Sequence, residues 1–195
     1  MSNFTKPRVK RGPAPAKRIK RHRCEKVLPE LMRDFDGRCA YSMQHHSRAG
    51  QLEVDHFDPR LKKELIQDYE NLFPASRHCN SKKSNKWPSR EEIAAGCRFL
   101  NPCKETDYGA QIFEDPNTHQ LVGINPAARW HVRICGLNAE RLINERAKRA
   151  KYWKQLENTP ISIKGSLEKA VTLARSFREE VELMIPKIPP SKVAV

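Results

Sequence analysis

Long apolar runs are missing from this sequence: none approaches the roughly 20 apolar residues that a membrane-spanning helix needs, so no bilayer-embedded segment is expected. The N-terminus is basic but has no apolar stretch of the kind that marks a secretory signal. Acidic residues are also absent where the chain begins, with nine Lys or Arg and no Asp or Glu between Met1 and Cys24. Aromatics make up only 7% of the residues, yet the 38% apolar share is enough for a modest core and one domain with appendages. Cysteine is too sparse, at positions 24, 39, 79, 97, 103 and 135, for a disulfide-stapled scaffold, which leaves reduced thiols or metal ligands. These absences predict a soluble, cytoplasmic protein with no membrane partner.

What the chain has in excess is positive charge. A formal net charge of +14 and a pI near 9.7 favour a polyanionic partner, because neutralising phosphates releases condensed counterions. Nucleic acid is the first candidate. The segment 1–24, with three prolines and one glycine, is predicted to be a flexible basic arm that follows a phosphate backbone or an acidic partner, or that only solubilises or addresses the chain.

Periodicity predicts an α+β fold. Val27, Leu28, Leu31, Met32 and Phe35 keep helical spacing up to a glycine stop at Gly37. A strand "QLEVDHF", a helical piece "KELIQDYE", a strand "NLFPAS" and a basic helix opened by "CNSKK" follow. Ser89 and Glu92 have capping-box spacing. "AQIFEDPNTHQLVGI" predicts a hairpin. A long helix is expected from about Asn138 to Glu157, with Leu142, Ile143, Ala147, Ala150, Trp153 and Leu156 inward and Arg141, Arg146, Lys148, Arg149, Lys151 and Lys154 on a basic outer face. A last helix near Ser166–Met184 precedes a tail at 186–195. The predicted organisation is therefore an arm (1–24), a core (25–100), a mainly helical extension containing the hairpin (101–185) and the tail.

The chemistry concentrates in "LEVDHFDPR". Asp55 and His56 are neighbours, so in an extended strand their side chains point to opposite faces. If the strand ends in a turn, one can serve a metal and the other a water. Asn71 and Asn80 follow, and the oxygens of Asp55 and Asn80 form a sparse, hard-ligand set that leaves positions for water and phosphate. Neutral His56, with an ordinary pKa of about 6.5, suits a general base. Each residue alone has a plainer explanation as a strand-end hydrogen bond, a turn or a helix start; their joint spacing points to a site.

The stretches "GRCAYS", "EVDHFDPR" and "YENLFPASRHCNSKK" resemble the HNH endonuclease family, with His56, Asn71 and Asn80 in the positions of its motif. The resemblance implies a ββα-metal core and hydrolysis of phosphodiester bonds in DNA. It also implies a divalent metal (Mg2+ or Mn2+) on Asp55 and Asn80, His56 as general base, and Asn71 positioning the loop that bears His56. Lys83 matches a family lysine expected near phosphate, and Arg77, Lys82 and Lys86 around it are candidate nucleic-acid contacts.

Many members of that family hold a structural zinc on two Cys-x-x-Cys pairs, and the matching positions here are Cys39, Ser42, Ser76 and Cys79. With two thiolates gone, Cys39 and Cys79 are remnants of a knuckle and no structural zinc is expected. The segment from Arg98 to Arg146 more loosely resembles bacterial HNH proteins that act beside a defence ATPase, as in Septu systems and some retrons. That likeness implies an anti-phage setting and an ATPase partner. Two other readings stay open: a noncatalytic nucleic-acid-binding module, and an interaction subunit whose C-terminal helices matter more than its core.

Overall fold

The computed structural model describes residues 9–105 and 111–157. The last expected helix (Ser166–Met184), the tail and the first eight residues of the arm lie outside the described residues. Helices and short antiparallel sheets alternate, as an α+β chain requires.

Strand β1 (Ile19–Lys20) leads through a 3-10 turn (Arg21–Val27) into helix α1 (Leu28–Asp34). Asp36 and Gly37 then take positive φ, of 49° and 66°, and Gly37 N–H bonds the carbonyl of Met32 at 2.7 Å, so glycine ends the helix as its sequence position predicts. Helix α2 (His46–Ala49) precedes β2 (Leu52–His56). The connection that follows is not the predicted helix. It is a 3-10 turn (Pro59–Lys63), strand β3 (Ile66–Gln67) and a second 3-10 turn (Tyr69–Asn71). Asp58 and Asp68 accept from backbone N–H groups two residues on, local bonds that compete with a continuous helix.

Strand β4 (Leu72–Ser76) pairs antiparallel with β2, placing Asp55 opposite Phe73 and His56 opposite Leu72. Helix α3 (Arg77–Lys83) starts immediately, with the Ser76 hydroxyl accepting from Cys79 N–H. Asn80 therefore sits inside this helix rather than opening it. Helix α4 (Arg90–Ala94) carries the predicted capping box in both directions, Ser89 N–H to Glu92 and Glu92 N–H to Ser89.

Strands β5 (Ile112–Glu114) and β6 (Leu121–Gly123) make the predicted hairpin, followed by helices α5 (Pro126–Ile134) and α6 (Glu140–Glu157). Gly123 packs where an added Cβ would lie 2.4 Å from the Arg129 backbone nitrogen, so only glycine lets the hairpin reach α5 this closely. One apolar cluster joins Phe35, Cys39, Tyr41 and Phe73 to Phe99, Ile112, Trp130 and Cys135, and so crosses the expected boundary at residue 100.

Two expectations change here. From Val9 onward the arm is strapped to the body, because it has its own anchors. Val9 and Ile19 are buried, and Ile19 pairs with Gln67. The Arg11 guanidinium donates to the carbonyls of Tyr69 (3.0 Å) and Leu72 (2.8 Å) and lies 4.7 Å from the Phe73 ring centroid, a cation–π contact. On α6, Arg146 and Arg149 are buried with Leu142 and do not belong to a solvated basic face. The side chains of Trp153 and Leu156 lie outside the described residues.

Candidate active site at the strand and helix junction

Strand β2 ends at His56, and Asn71, at the end of the 3-10 turn before β4, braces the chain beyond it. Its amide oxygen accepts from Asp58 N–H (2.7 Å), its amide nitrogen donates to the Asp58 carbonyl (3.1 Å), and its backbone carbonyl accepts from Phe57 N–H (2.8 Å). One asparagine thus satisfies three backbone groups of the segment that leaves the strand.

Because the strand stops there and α3 begins beside it, Asp55, His56 and Asn80 line a single polar cavity of about 190 Å³, with Lys62 and Ser84 also on its wall. The structure therefore brings together three of the four residues singled out in the sequence, with Asn71 behind them. Asp55 and His56 are each only 6% exposed.

The Asp55 carboxylate is held on one side. Its Oδ2 accepts from the Tyr41 hydroxyl and faces the Lys83 ammonium at 2.9 Å. Its Oδ1 makes no hydrogen bond among the described residues. Lys83, expected from the sequence to meet phosphate, is 0% exposed, and its ammonium also donates to the His56 carbonyl at 2.6 Å. This corrects the expectation for Lys83: a buried ammonium enclosed by a carboxylate, a carbonyl and the rings of Tyr41 and Phe99 cannot also reach a backbone phosphate. Arg77, Lys82 and Lys86 are exposed and open to such contact.

The His56 ring bonds Gln67 Oε1 through Nε2 at 2.7 Å. Burial lowers its pKa below the ordinary histidine value, while Gln67 and the Asp55 charge pull the other way. The amide nitrogen of Asn80 donates to Glu53 at 2.7 Å, which leaves its oxygen free of that bond. Asp55 Oδ1 and the Asn80 oxygen are therefore hard donors on residues that line the cavity, beside Ser81, Ser84 and Asn85. Two protein oxygens fit a small divalent cation that keeps most of its water, although no group of three or more His, Cys, Asp or Glu suited to a metal occurs among the described residues.

Tyr41, Glu53, Lys62 and Gln67 are site residues that the sequence does not single out. Gln67 carries no signal because its stretch has helical composition, and Lys62 hides in a run of cations. Tyr41 lies inside "GRCAYS", where a polar aromatic between two knuckle positions was the available clue.

At the knuckle, Cys39 and Cys79 are both fully buried. Burial raises the Cys39 pKa, but hydrogen bonds from Cys79 and Ser42 outweigh it and bring the thiol down to about 5. Ser76, in place of a third thiol, is occupied in capping α3. His78, half-buried on α3, bonds the Gly136 carbonyl at 2.9 Å and so ties α3 to the extension.

Residues 37–86 match the family model of the HNH endonucleases. A comparison with curated proteins finds no match, and neither does one with solved structures.

Proposed function

The chain carries an HNH endonuclease domain at residues 37–86, and from that premise we propose that it is a metal-dependent nuclease that hydrolyses phosphodiester bonds in DNA. The observation that carries this reading is the convergence of Asp55, His56 and Asn80 on one polar cavity where the β2–β4 pair meets α3, as a ββα-metal core requires.

His56 takes a proton from the attacking water, with burial keeping the ring neutral and ready at neutral pH. Asn71 holds the backbone beyond His56, so the ring keeps its direction. Lys83 fixes the Asp55 carboxylate through Oδ2 and holds the His56 carbonyl, which leaves Asp55 Oδ1 outside that ion pair. Asp55 and Asn80 would hold a magnesium or manganese ion, which when bound neutralises charge on the phosphate and the leaving oxygen. Arg77, Lys82, Lys86 and Lys62 supply exposed cations for the backbone. With binding dominated by phosphate contacts, affinity should fall steeply with salt and show weak sequence preference. A defence setting and an ATPase partner are supported only by the looser likeness of the segment that begins at Arg98. Among the described residues no helix is long and apolar enough to cross a membrane.

Purified protein is to be incubated with plasmid, with and without magnesium or manganese, beside His56→Ala and Asn80→Ala. Loss of nicking by about 10²- to 10⁴-fold in His56→Ala is expected for a general base. Equal nicking by wild type and His56→Ala sinks the assignment. The acid limb of the pH–rate profile should lie below pH 6.5, since burial moves His56 down.

A second reading has its own observation. Lys83 already neutralises one Asp55 oxygen, so the scaffold can stand as a nucleic-acid grip with no metal. Retained binding with no cleavage under any metal would favour it.

A further inference from the structure

We propose that Gln67 is a positioning residue that holds His56 as the Nε2–H tautomer and leaves Nδ1 as its proton acceptor. The inference rests on the reading of His56 as a base and adds which ring atom does the work.

The orientation of Gln67 follows from its own bonds. Its amide nitrogen donates to the Glu64 carbonyl, an oxygen that can only accept. Turning the amide over would set two acceptors against each other, so the other end of the amide, Oε1, must face His56. Oε1 cannot donate either, so His56 Nε2 must carry the proton in the 2.7 Å bond. In the neutral ring Nδ1 then holds the lone pair. No hydrogen bond among the described residues engages Nδ1, while the ring lies on the polar cavity beside Asp55 and Asn80.

Gln67 is well placed for this duty. It is 5% exposed, and its backbone is a rung of the β1–β3 pair, opposite Ile19. Arg21 N–H bonds the Leu65 carbonyl at 3.0 Å and the Arg21 guanidinium reaches Lys63. The basic N-terminal strap is therefore also the clamp on the segment that carries Gln67. An asparagine behind the loop and a glutamine across the ring fix His56 from two directions.

The test is a long-range 1H–15N correlation on 15N-histidine-labelled full-length protein, at a pH where His56 is neutral, with its signals identified by their loss in His56→Ala. Wild type should show a pyrrole-like Nε2 and a pyridine-like Nδ1. Gln67→Glu keeps an acceptor toward His56 but sets its second oxygen against the Glu64 carbonyl, so it should preserve the Nε2–H pattern while nicking more slowly than wild type and faster than Gln67→Met. Gln67→Met, of similar size but with no acceptor, should give shifts averaged between tautomers and lose about 10- to 100-fold in kcat with KM unchanged. A wild-type Nδ1–H tautomer, or a Gln67→Met protein with wild-type shifts and kcat, overturns the proposal. If the shifts behave as expected but no variant or wild type cleaves DNA, the tautomer assignment stands and the nuclease reading fails.

Discussion

Lys83 in the core and the pair Arg146 and Arg149 in the extension are buried cations, and they are buried in different company. In the core, Lys83 faces one oxygen of the Asp55 carboxylate, and Asp55 lines a polar cavity. In the extension, Arg146 is closed in by the carbonyls of His119 (2.6 Å) and Leu137 (3.1 Å), and Arg149 meets Glu114 at 3.2 Å. The first pair has unspent bonding capacity beside solvent-accessible space. The second network is used up in tying α6 to the hairpin. Counting cations separates neither case from an exposed phosphate-binding face; what distinguishes them is where the bonds of the neighbouring acceptors go.

Substitutions can break this contrast. Lys83→Met should have the largest effect on stability, about 3–5 kcal/mol in urea denaturation, because it leaves a buried carboxylate without its counter-charge. It should also change nicking through Asp55; a variant as stable as wild type would mean that the pair is not desolvated. Arg146→Met should cost less, about 1–3 kcal/mol, from the carbonyls left unpaired. Its nicking rate per folded molecule should stay at the wild-type value, and a specific loss of kcat would contradict a purely structural role.

The smallest effect near neutrality involves His131, which touches both regions. It is fully buried against the rings of Tyr41 and Phe99 and accepts from Leu100 N–H, and burial pushes its pKa down to about 3. The unfolded chain binds that proton near pH 6.5 and the folded chain only near 3, so unfolding takes up a proton between those values and stability falls as pH is lowered. The loss is roughly 0.7 kcal/mol between pH 7 and 6 and steepens to about 1.4 kcal/mol per unit below. His131→Gln should flatten this slope in thermal melts across pH; an unchanged slope would assign acid sensitivity to other groups.

Local features of the fold were legible in the sequence. The Ser89 capping box, the hairpin and the glycine stop at Gly37 are short-range patterns, and each forms as its residues suggest. The order of Asp55, His56 and Asn80 was enough to anticipate that they meet. Long-range partners were not legible. Nothing near Lys83 in sequence says that Asp55 lies across from it, and nothing near Gln67 says that it faces His56. Arg146 and Arg149 look like solvated charges because residue type alone does not report burial. The arm misled for the same reason: its composition suits a disordered tail, and one arginine, Arg11, seated among Phe35, Tyr69 and Phe73, fastens it.

Glu92 illustrates how a short-range signal can hold more than it states. The same carboxylate that closes the first turn of α4 also accepts from the Trp130 indole at 2.8 Å and from Arg133 at 3.3 Å, both on α5. The grammar of one helix end and the mooring of another helix are written in a single side chain. Replacing Glu92 therefore loosens two helices at once, the start of α4 and its mooring to α5.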